Sequence, residues 1–430
     1  MLLSTPLGRY LSFFSAYFYQ GLVAGFSLTA LTNHYAEAGF GAAEVGRHFA
    51  VAGLPWTVQP LLWGPVVDRF TTGRMGRRRF WIVLAILGAH GALASLLLVE
   101  NPLASVGLVS AIFFAHSLFA SLLDTALDGA VIDRVPPPEL GRTSACTRGG
   151  FVSGAAFSAA VFSGTLGTYG FGPTVFMLLG LGVLATLPPL LIRERAEDAW
   201  FSLRTGAAPE PGRPDAPTFA HFARDLLAAL KRPEALALLA LCFTVEFAVN
   251  GFQVRFQVHM VQAGGWDAAA LSRLQAGLAF ASGTVGALVI GLWSDRAGAT
   301  GAVRALLASC AAAFLAVAGL VAAGFSGPAG PAILGLGTVV PALMYVALVP
   351  VVARASGKAI AATQFALFMA AMNGGDVAGA AASGAVEAVL DLPETALVAA
   401  FVFAAWAGAL WRKPDLLIDG VVGAKPAPAS

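Results

Sequence analysis

The chain has 430 residues and a formal net charge of +2, a balance that does not favour a nucleic-acid partner. It is 57% hydrophobic and only 12% charged, and its mean hydropathy is +0.76. Soluble domains carry about 25% charged residues, so this composition excludes an ordinary soluble domain. It predicts an all-α membrane protein. The three cysteines are scattered through apolar segments, and we expect neither a disulfide framework nor a metal site.

Apolar stretches of about 20 residues, each long enough to cross a hydrocarbon core of ~30 Å, follow one another along the whole chain. They predict twelve transmembrane helices, near residues 10–33, 45–67, 80–99, 105–133, 143–167, 172–193, 235–260, 269–294, 303–325, 331–353, 360–385 and 395–411.

A polar, Pro/Gly-rich connection divides these spans into six and six. Its last part has apolar residues at helical spacing, which predicts an amphipathic helix along the membrane face. The predicted organisation is a six-helix bundle at 1–193, a linker at 194–232, a second six-helix bundle at 233–412 and a tail at 413–430.

The basic residues predict the orientation of the chain. If the N-terminus is cytoplasmic, all but three of the 26 Lys and Arg residues fall on inner segments; the exceptions are Arg47, Arg255 and Arg273. Because positive residues concentrate on cytoplasmic loops, we expect both termini, the linker and the tail on the cytoplasmic side. We therefore expect a multi-pass protein of a bacterial inner membrane.

A short loop occurs twice between apolar segments. Residues 64–69 read G-P-V-V-D-R and a basic run follows, whereas residues 291–296 read G-L-W-S-D-R. Each copy places Gly and Asp four positions apart on one helix face, where Gly would admit a neighbouring helix and Asp would meet its positive end. A single D-R pair could simply mark the end of a span at the membrane interface. Two copies at equivalent places in the two halves favour a gating role. The predicted gating residues are Gly64, Asp68, Arg69, Arg77, Gly291, Asp295 and Arg296.

Two carboxyl groups lie inside the fourth predicted span. Asp124 and Asp128 are neighbours on one face of the helix, and like charges there would repel. Charged groups inside a membrane are costly and rare. We expect one of them to be protonated or paired with a cation, for which Arg148 is a candidate. The alternatives are a proton-coupling or substrate site and a structural Asp–Arg cluster.

The seventh predicted span carries a polar stripe. Glu246 lies near the middle of this span, and three further polar residues share its helix face. Such a stripe is expected to face a wet cavity, or alternatively to bind other helices by hydrogen bonds. The predicted cavity-lining residues are Asn250, Gln253 and Gln257 from this span, Tyr17 and Gln20 from the first, and Asn373 from the eleventh. Asp376 joins Glu246, Asp124, Asp128 and Arg148 as a coupling or substrate candidate.

Glycines four apart at 150 and 154, and again at 375 and 379, predict tight helix crossings. No enzymatic signature competes with a transport role: the sequence has no H-E-x-x-H, no Walker-type loop and no G-x-S-x-G. We expect no cofactor. The expected partners are a small-molecule substrate, protons and the bilayer, with the chain acting as a monomer. A membrane enzyme or receptor is the alternative class.

The repeated loop and the twelve-span pattern resemble the major facilitator superfamily, which implies two six-helix halves and alternating access. D-T-A-L-D-G at 124–129 resembles a pattern shared by AmpG-type muropeptide permeases and acetyl-coenzyme A transporters. W-G-P-V-V-D-R-F at 63–70 and A-T-Q-F-A-L-F at 362–368 resemble AmpG-type permeases. The resemblance implies proton-coupled import of a large polar conjugate such as an anhydromuropeptide. Y-F-Y-Q-G-L at 17–22 is closer to permeases for ferric siderophores, so a siderophore or other small-molecule permease, importing or exporting, is the alternative.

Overall fold

A computed structural model describes residues 2–69, 74–136, 139–196, 198–202, 231–286, 298–355 and 361–414, together with positions 224, 227–228, 289–290, 293 and 416–417. Its regular structure is helical throughout these residues. The first seven helices are α1 (Pro6–Gly25), α2 (Leu31–Glu37), α3 (Ala42–Arg69), α4 (Arg79–Ser95), α5 (Val106–Arg134), α6 (Leu140–Tyr169) and α7 (Phe171–Leu190).

The remaining helices are α8 (Pro233–Gln262), α9 (Ala268–Ala281), α10 (Ala299–Ala322), α11 (Ser326–Ala355), α12 (Ala361–Glu387) and α13 (Leu392–Arg412). A π-helical turn at Phe26–Ala30 joins α1 to α2, and another at Ser282–Gly286 extends α9. With α1 and α2 counted as one, the described residues form twelve long helices. Each coincides with one of the twelve predicted spans.

Eight of these helices are long and apolar enough to cross a membrane by length and composition alone, namely α4 to α8, α10, α11 and α13. Helices α1, α3, α9 and α12 lie outside that set. Three of them contain polar side chains that lower their mean hydropathy: Gln20, Gln59 and Asp376.

Helix ends follow local sequence signals. Thr5 precedes α1, and its side chain accepts a hydrogen bond from the Gly8 N–H at 3.2 Å, which satisfies one of the free donors at that helix end. Asp391 and Glu394 form a capping box at the start of α13. Gly170 adopts φ +81° in the single-residue turn between α6 and α7, a conformation that favours glycine.

Helices α1 and α6 cross with their backbones in contact. A Cβ atom added at Gly150 would collide with the carbonyl oxygen of Phe14, and one added at Gly154 would collide with that of Phe18. Glycine is thus the residue that fits at both positions. The tight crossing predicted from the glycine spacing is confirmed.

The same crossing occurs between α8 and α12. A Cβ atom at Gly375 would collide with the carbonyl oxygen of Phe243, and one at Gly379 with that of Phe247. The phenylalanines stack in both crossings, Phe243 on Phe247 with ring centroids 6.1 Å apart and the corresponding pair in α1 at 6.2 Å.

The two crossings are equivalent by residue number. The phenylalanines differ by 229 positions (243 − 14), and the glycines by 225 positions (375 − 150). By the same offsets Gly21 corresponds to Asn250, and Phe151 corresponds to Asp376. A Cβ atom added at Gly21 would collide with the carbonyl oxygen of Phe151, and the Asn250 amide donates a hydrogen bond to the carbonyl oxygen of Asp376. Helices α1 and α6 therefore repeat α8 and α12 in three dimensions.

Two compact units make up the chain. Unit 1 consists of residues 1–40, 51–217 and 266–280, and contains the α1–α6 crossing. Unit 2 consists of residues 41–50, 218–265 and 281–430, and contains the α8–α12 crossing. The boundaries of the two bundles expected at 1–193 and 233–412 stay a prediction. Most of the expected amphipathic helix, and residues 418–430 of the tail, lie outside the described residues.

Candidate functional site

An acidic cluster lies in unit 1 where α1, α3 and α5 meet. The hydroxyl of Tyr17 donates to Asp128 Oδ1 at 2.6 Å, and the amide of Gln59 donates to Asp124 Oδ2 at 2.7 Å. Gln59 also reaches Thr125 Oγ1 at 3.2 Å. Asp128 is exposed and Asp124 is half-buried. The cluster therefore places a neutral donor against each of the two carboxyl groups.

Gln20 completes this cluster from one turn further along α1. Its side chain approaches the Asp124 carboxyl, and the residue is only 3% exposed. Its Nε2 has no hydrogen-bond partner within the described part of the chain. Gln20 is thus a buried neutral amide beside the acidic pair.

Basic side chains near the cluster have contacts of their own. Arg78 binds Asp133 Oδ2 through Nε at 2.9 Å, one turn beyond Asp128. The Arg148 guanidinium lies 5.9 Å from the centroid of the Phe151 ring, on its own helix. The pairing predicted between Arg148 and the two aspartates stays a prediction.

A second pair of carboxyl groups lies in unit 2, where α8 crosses α12. Glu246 is only 5% exposed and interacts electrostatically with half-buried Asp376. Within the described residues the Glu246 carboxyl has neither a hydrogen bond nor an ion pair. A buried carboxylate without a cation carries a large desolvation cost. The sequence named both residues as candidates, and the structure brings them together.

The rest of the polar stripe on α8 contacts other helices. The Asn250 amide donates to the Asp376 carbonyl oxygen at 2.8 Å, and Gln253 packs so closely on α11 that a Cβ at Gly337 would collide with its amide oxygen. Gln257 is buried, and Asn373 on α12 is half-buried. Cavity lining by these residues stays a prediction.

Sequence reasoning did not identify two polar groups in unit 1. Gln59 lies in an otherwise apolar stretch of α3, and an isolated amide in such a stretch could have indicated a functional or interhelical contact. The Tyr19 hydroxyl lies 3.2 Å from His116 Nε2, and the Tyr19 ring stacks on His90 with centroids 4.8 Å apart. This buried contact joins α1 to α4 and α5.

The first predicted gating loop is partly described. Its Gly76 adopts φ +88°, and Glu194 Oε1 accepts the backbone N–H groups of Arg78 and Arg79 at 2.5 and 3.0 Å. Arg134 reaches Glu194 Oε2 at 3.4 Å. A carboxylate thus binds the N-terminal end of α4, where the helix dipole favours negative charge.

Close helix approach is not observed at the first glycine of this loop, since a Cβ at Gly64 would meet no atom of the described residues within 4 Å. Arg77 is half-buried and directly precedes Arg78. The side chains of Asp68 and Arg69 lie outside the described residues, as do Gly291, Asp295 and Arg296. The gating role of the loop stays a prediction. In the described part of the chain no three His, Cys, Asp or Glu side chains are grouped to hold a metal ion.

Comparison of the sequence with known protein families identifies the family to which this chain belongs. Residues 12–380 match the family model described as Major Facilitator Superfamily. The chain belongs to the major facilitator superfamily. This confirms the predicted superfamily and makes the protein a transporter of that family.

Solved structures agree with this fold across almost the whole chain. The nucleoside transporter NupG is 15% identical, with 94% of this chain and 98% of that chain covered and a TM-score of 0.65. A POT family transporter in complex with 5-aminolevulinic acid is 12% identical, with 95% and 96% covered and a TM-score of 0.68. The peptide transporter POT in complex with sulfate is 15% identical, with 94% and 95% covered and a TM-score of 0.63. Identities this low show the fold alone.

Proposed function

We propose that this major facilitator protein imports a large polar conjugate, such as an anhydromuropeptide, together with protons and by alternating access. The observation that carries the proposal is the burial of Glu246, a carboxyl group inside the helices that interacts electrostatically with Asp376 and pairs with no cation in the described part of the chain. Groups of this kind mark proton and substrate pathways in membrane proteins. Because the chain has no nucleotide-binding loop, an ion or substrate gradient would supply the free energy.

The cluster in unit 1 supports the same role. Neutral donors, Tyr17 and Gln59, contact its two carboxyl groups. Such donors stabilise a carboxylate when the proton has left and do not fix the charge permanently, as a bound arginine would. The pair is therefore suited to bind and release a proton during each cycle.

The substrate class is supported by the sequence. The D-T-A-L-D-G segment, which resembles AmpG-type permeases, contains both aspartates of the unit 1 cluster. A conjugate of sugar and peptide would offer many hydroxyl and amide groups to the amides of Gln20 and Asn250. The basic loops support a bacterial inner-membrane location with both termini in the cytoplasm.

A ferric siderophore is the second candidate substrate. The segment Y-F-Y-Q-G-L that favours it supplies Tyr17 and Gln20, two members of the unit 1 cluster. Export in place of import is a further alternative, since these residues do not encode the direction.

Uptake into proteoliposomes tests the proposal. Proteoliposomes that contain the purified protein are given an anhydromuropeptide, a ferric siderophore or an acyl-coenzyme A. Each uptake is driven by an inward proton gradient and is measured with and without a protonophore. We expect the muropeptide to accumulate and the protonophore to abolish this accumulation. The siderophore and the acyl-coenzyme A should not inhibit muropeptide uptake. Preferred uptake of the siderophore would establish the second candidate, and transport unaffected by the protonophore would refute proton coupling.

A further inference from the structure

Each unit contains an arginine that stacks on an exposed tryptophan at the end of a long apolar helix. In unit 1 the Arg79 guanidinium lies 5.1 Å from the centroid of the Trp200 ring, which follows α7. In unit 2 the Arg304 guanidinium lies 4.7 Å from the centroid of the Trp411 ring, near the end of α13. Both distances are those of a cation–π contact.

The arginines of these contacts are equivalent in the repeat. Arg79 opens α4 and Arg304 lies near the start of α10, and they differ by 225 positions (304 − 79), the offset that relates the glycines of the two crossings. The tryptophans do not share this offset, because Trp411 lies on α13 itself whereas Trp200 follows Leu190, where α7 ends, by ten positions (200 − 190). The two units therefore reach the same contact by different local routes.

In unit 1 the chain after α7 is fixed to the start of α4. Arg79 donates to the Trp200 carbonyl oxygen at 3.1 Å, and the Ala199 N–H donates to the Arg74 carbonyl oxygen at 2.5 Å. Although its backbone is held in this way, Trp200 is 54% exposed. Trp411 is 67% exposed. Each ring is therefore presented at the surface of its unit and not packed in a core.

The exposed tryptophans continue the apolar faces of their helices. Helices α7 and α13 are both long and apolar enough to cross a membrane. Trp411 lies 14 positions after exposed Leu397 (411 − 397), which is about four turns and nearly the same face of α13. At the end of α7 three exposed leucines recur at helical spacing: Leu184, Leu187 and Leu191. Such faces contact lipid chains, and tryptophan at their end is typical of the headgroup level.

Basic side chains surround both tryptophans. In unit 1 the Arg193 guanidinium lies 5.0 Å from the centroid of the Trp200 ring, and Arg195 is exposed in the same segment. In unit 2 Arg412 and Lys413 directly follow the tryptophan and are exposed. These side chains provide several guanidinium and ammonium donors at the level where a span ends.

The acidic side chains of the unit 1 segment are turned inward where the structure describes them. Glu194 is 8% exposed and Asp198 is 6% exposed. Glu194 accepts the N–H groups of Arg78 and Arg79, and Asp198 accepts the N–H of Arg195 at 2.7 Å. Their charges are thus used by the backbone, and the charge left at the surface beside the tryptophan is positive.

We infer that each unit binds an anionic phospholipid at its arginine–tryptophan contact. The lipid phosphate contacts the basic side chains, the tryptophan ring lies against the glycerol region, and the acyl chains cover the exposed face of α7 or α13. Basic groups beside a transmembrane helix attract anionic headgroups. A free phosphate would satisfy the charges and leave the tryptophan and the leucines uncovered, so the occupant is a lipid. The inference does not depend on what the protein transports.

Native mass spectrometry of the whole protein, released from detergent, counts the lipids that stay bound. The probes are phosphatidylglycerol, phosphatidylcholine with the same acyl chains, and glycerol 3-phosphate as the free headgroup. We expect the wild type to retain two molecules of phosphatidylglycerol and to retain neither of the other compounds. Equal retention of phosphatidylcholine would overturn the recognition of charge, and glycerol 3-phosphate bound as tightly as the lipid would overturn the lipid as occupant.

Two double variants assign the lipids to the two units. Arg193→Gln with Trp200→Ala should lose one lipid, Arg304→Gln with Trp411→Ala the other, and the four substitutions together both. Arg79 is left in place because it also binds backbone carbonyl oxygens. An unchanged count in either double variant would overturn the inference. So would the loss of both lipids from one double variant, since the sites belong to separate units.

Two further variants separate recognition from folding. Arg193→Lys keeps the charge and should retain the lipid, whereas Arg193→Gln alone should lower the affinity of unit 1 for phosphatidylglycerol about fivefold. Equal affinities of these two variants would overturn the contact between Arg193 and the phosphate. Arg273→Gln with Phe176→Ala is the matched control, at a side chain that is 54% exposed and a residue that is 70% exposed, and it should retain both lipids. Loss of a lipid from this control would overturn the assignment to the two contacts.

Discussion

The amide of Gln59 binds Asp124 Oδ2 at 2.7 Å and so fixes α3 to α5 beside the acidic pair of unit 1. The bond connects residues 65 positions apart in the chain. It supplies the donor that an ionised Asp124 needs inside the helices. Trp63, one turn along α3, donates to the Leu118 carbonyl oxygen at 3.1 Å and strengthens the same helix contact.

Replacing Gln59 by alanine should weaken coupled uptake while the protein still folds. A hydrogen bond to a charged group contributes roughly 1.5–3 kcal/mol, which corresponds to about a tenfold to hundredfold loss in rate. Initial uptake rates in proteoliposomes check this expectation. Gln262→Ala, at the exposed end of α8, is the matched control and should leave the rate unchanged. An unchanged rate in Gln59→Ala would exclude a role for this amide.

Glu246→Gln should abolish gradient-driven accumulation without reducing expression. The amide keeps the shape of the side chain but cannot exchange a proton. Counterflow of labelled against unlabelled substrate, which needs no net proton movement, should persist. Glu37→Gln is the control, since the Glu37 side chain is 47% exposed. Full accumulation against a gradient by Glu246→Gln would remove Glu246 from the coupling mechanism.

Gly154→Ala should destabilise the α1–α6 crossing, because its Cβ would collide with the carbonyl oxygen of Phe18. Overpacking of this kind costs about 1–3 kcal/mol. Thermal unfolding in detergent measures the change. Gly164→Ala on the same helix is the matched control, since a Cβ there meets no atom within 4 Å in the part of the chain that the structure describes. Equal melting temperatures for the two variants would contradict the backbone contact.

Glu194→Ala should loosen the N-terminal end of α4. The substitution leaves the N–H groups of Arg78 and Arg79 without their acceptor, and unsatisfied buried donors cost about 1–3 kcal/mol each. Protease cleavage near residues 74–79 should accelerate. Glu100→Ala, at an exposed residue, supplies the comparison. Protection equal to that of the wild type would show that Glu194 does not hold this loop.

The helices and their crossings could be predicted because both depend on local patterns. A 20-residue apolar window defines a span, and glycines four apart define a face that another helix can approach. Both the spans and the crossing at Gly375 and Gly379 were predictable in this way.

The partners of each polar side chain depend on the register between distant helices, which local patterns do not contain. Glu246 and Asp376 were separate candidates, and their electrostatic interaction depends on how α8 crosses α12. Gln59 was missed for the same reason, because its partner Asp124 lies on another helix.

The contact between the backbones of α1 and α6 also provides a reference distance for spectroscopic measurements. Since the backbones touch at Gly150 and Gly154, we expect the two helices to move together as one body. Probes attached to the far ends of α1 and α6 should keep one constant separation whatever ligand is bound. That separation is an internal standard against which distances to all other helices can be calibrated.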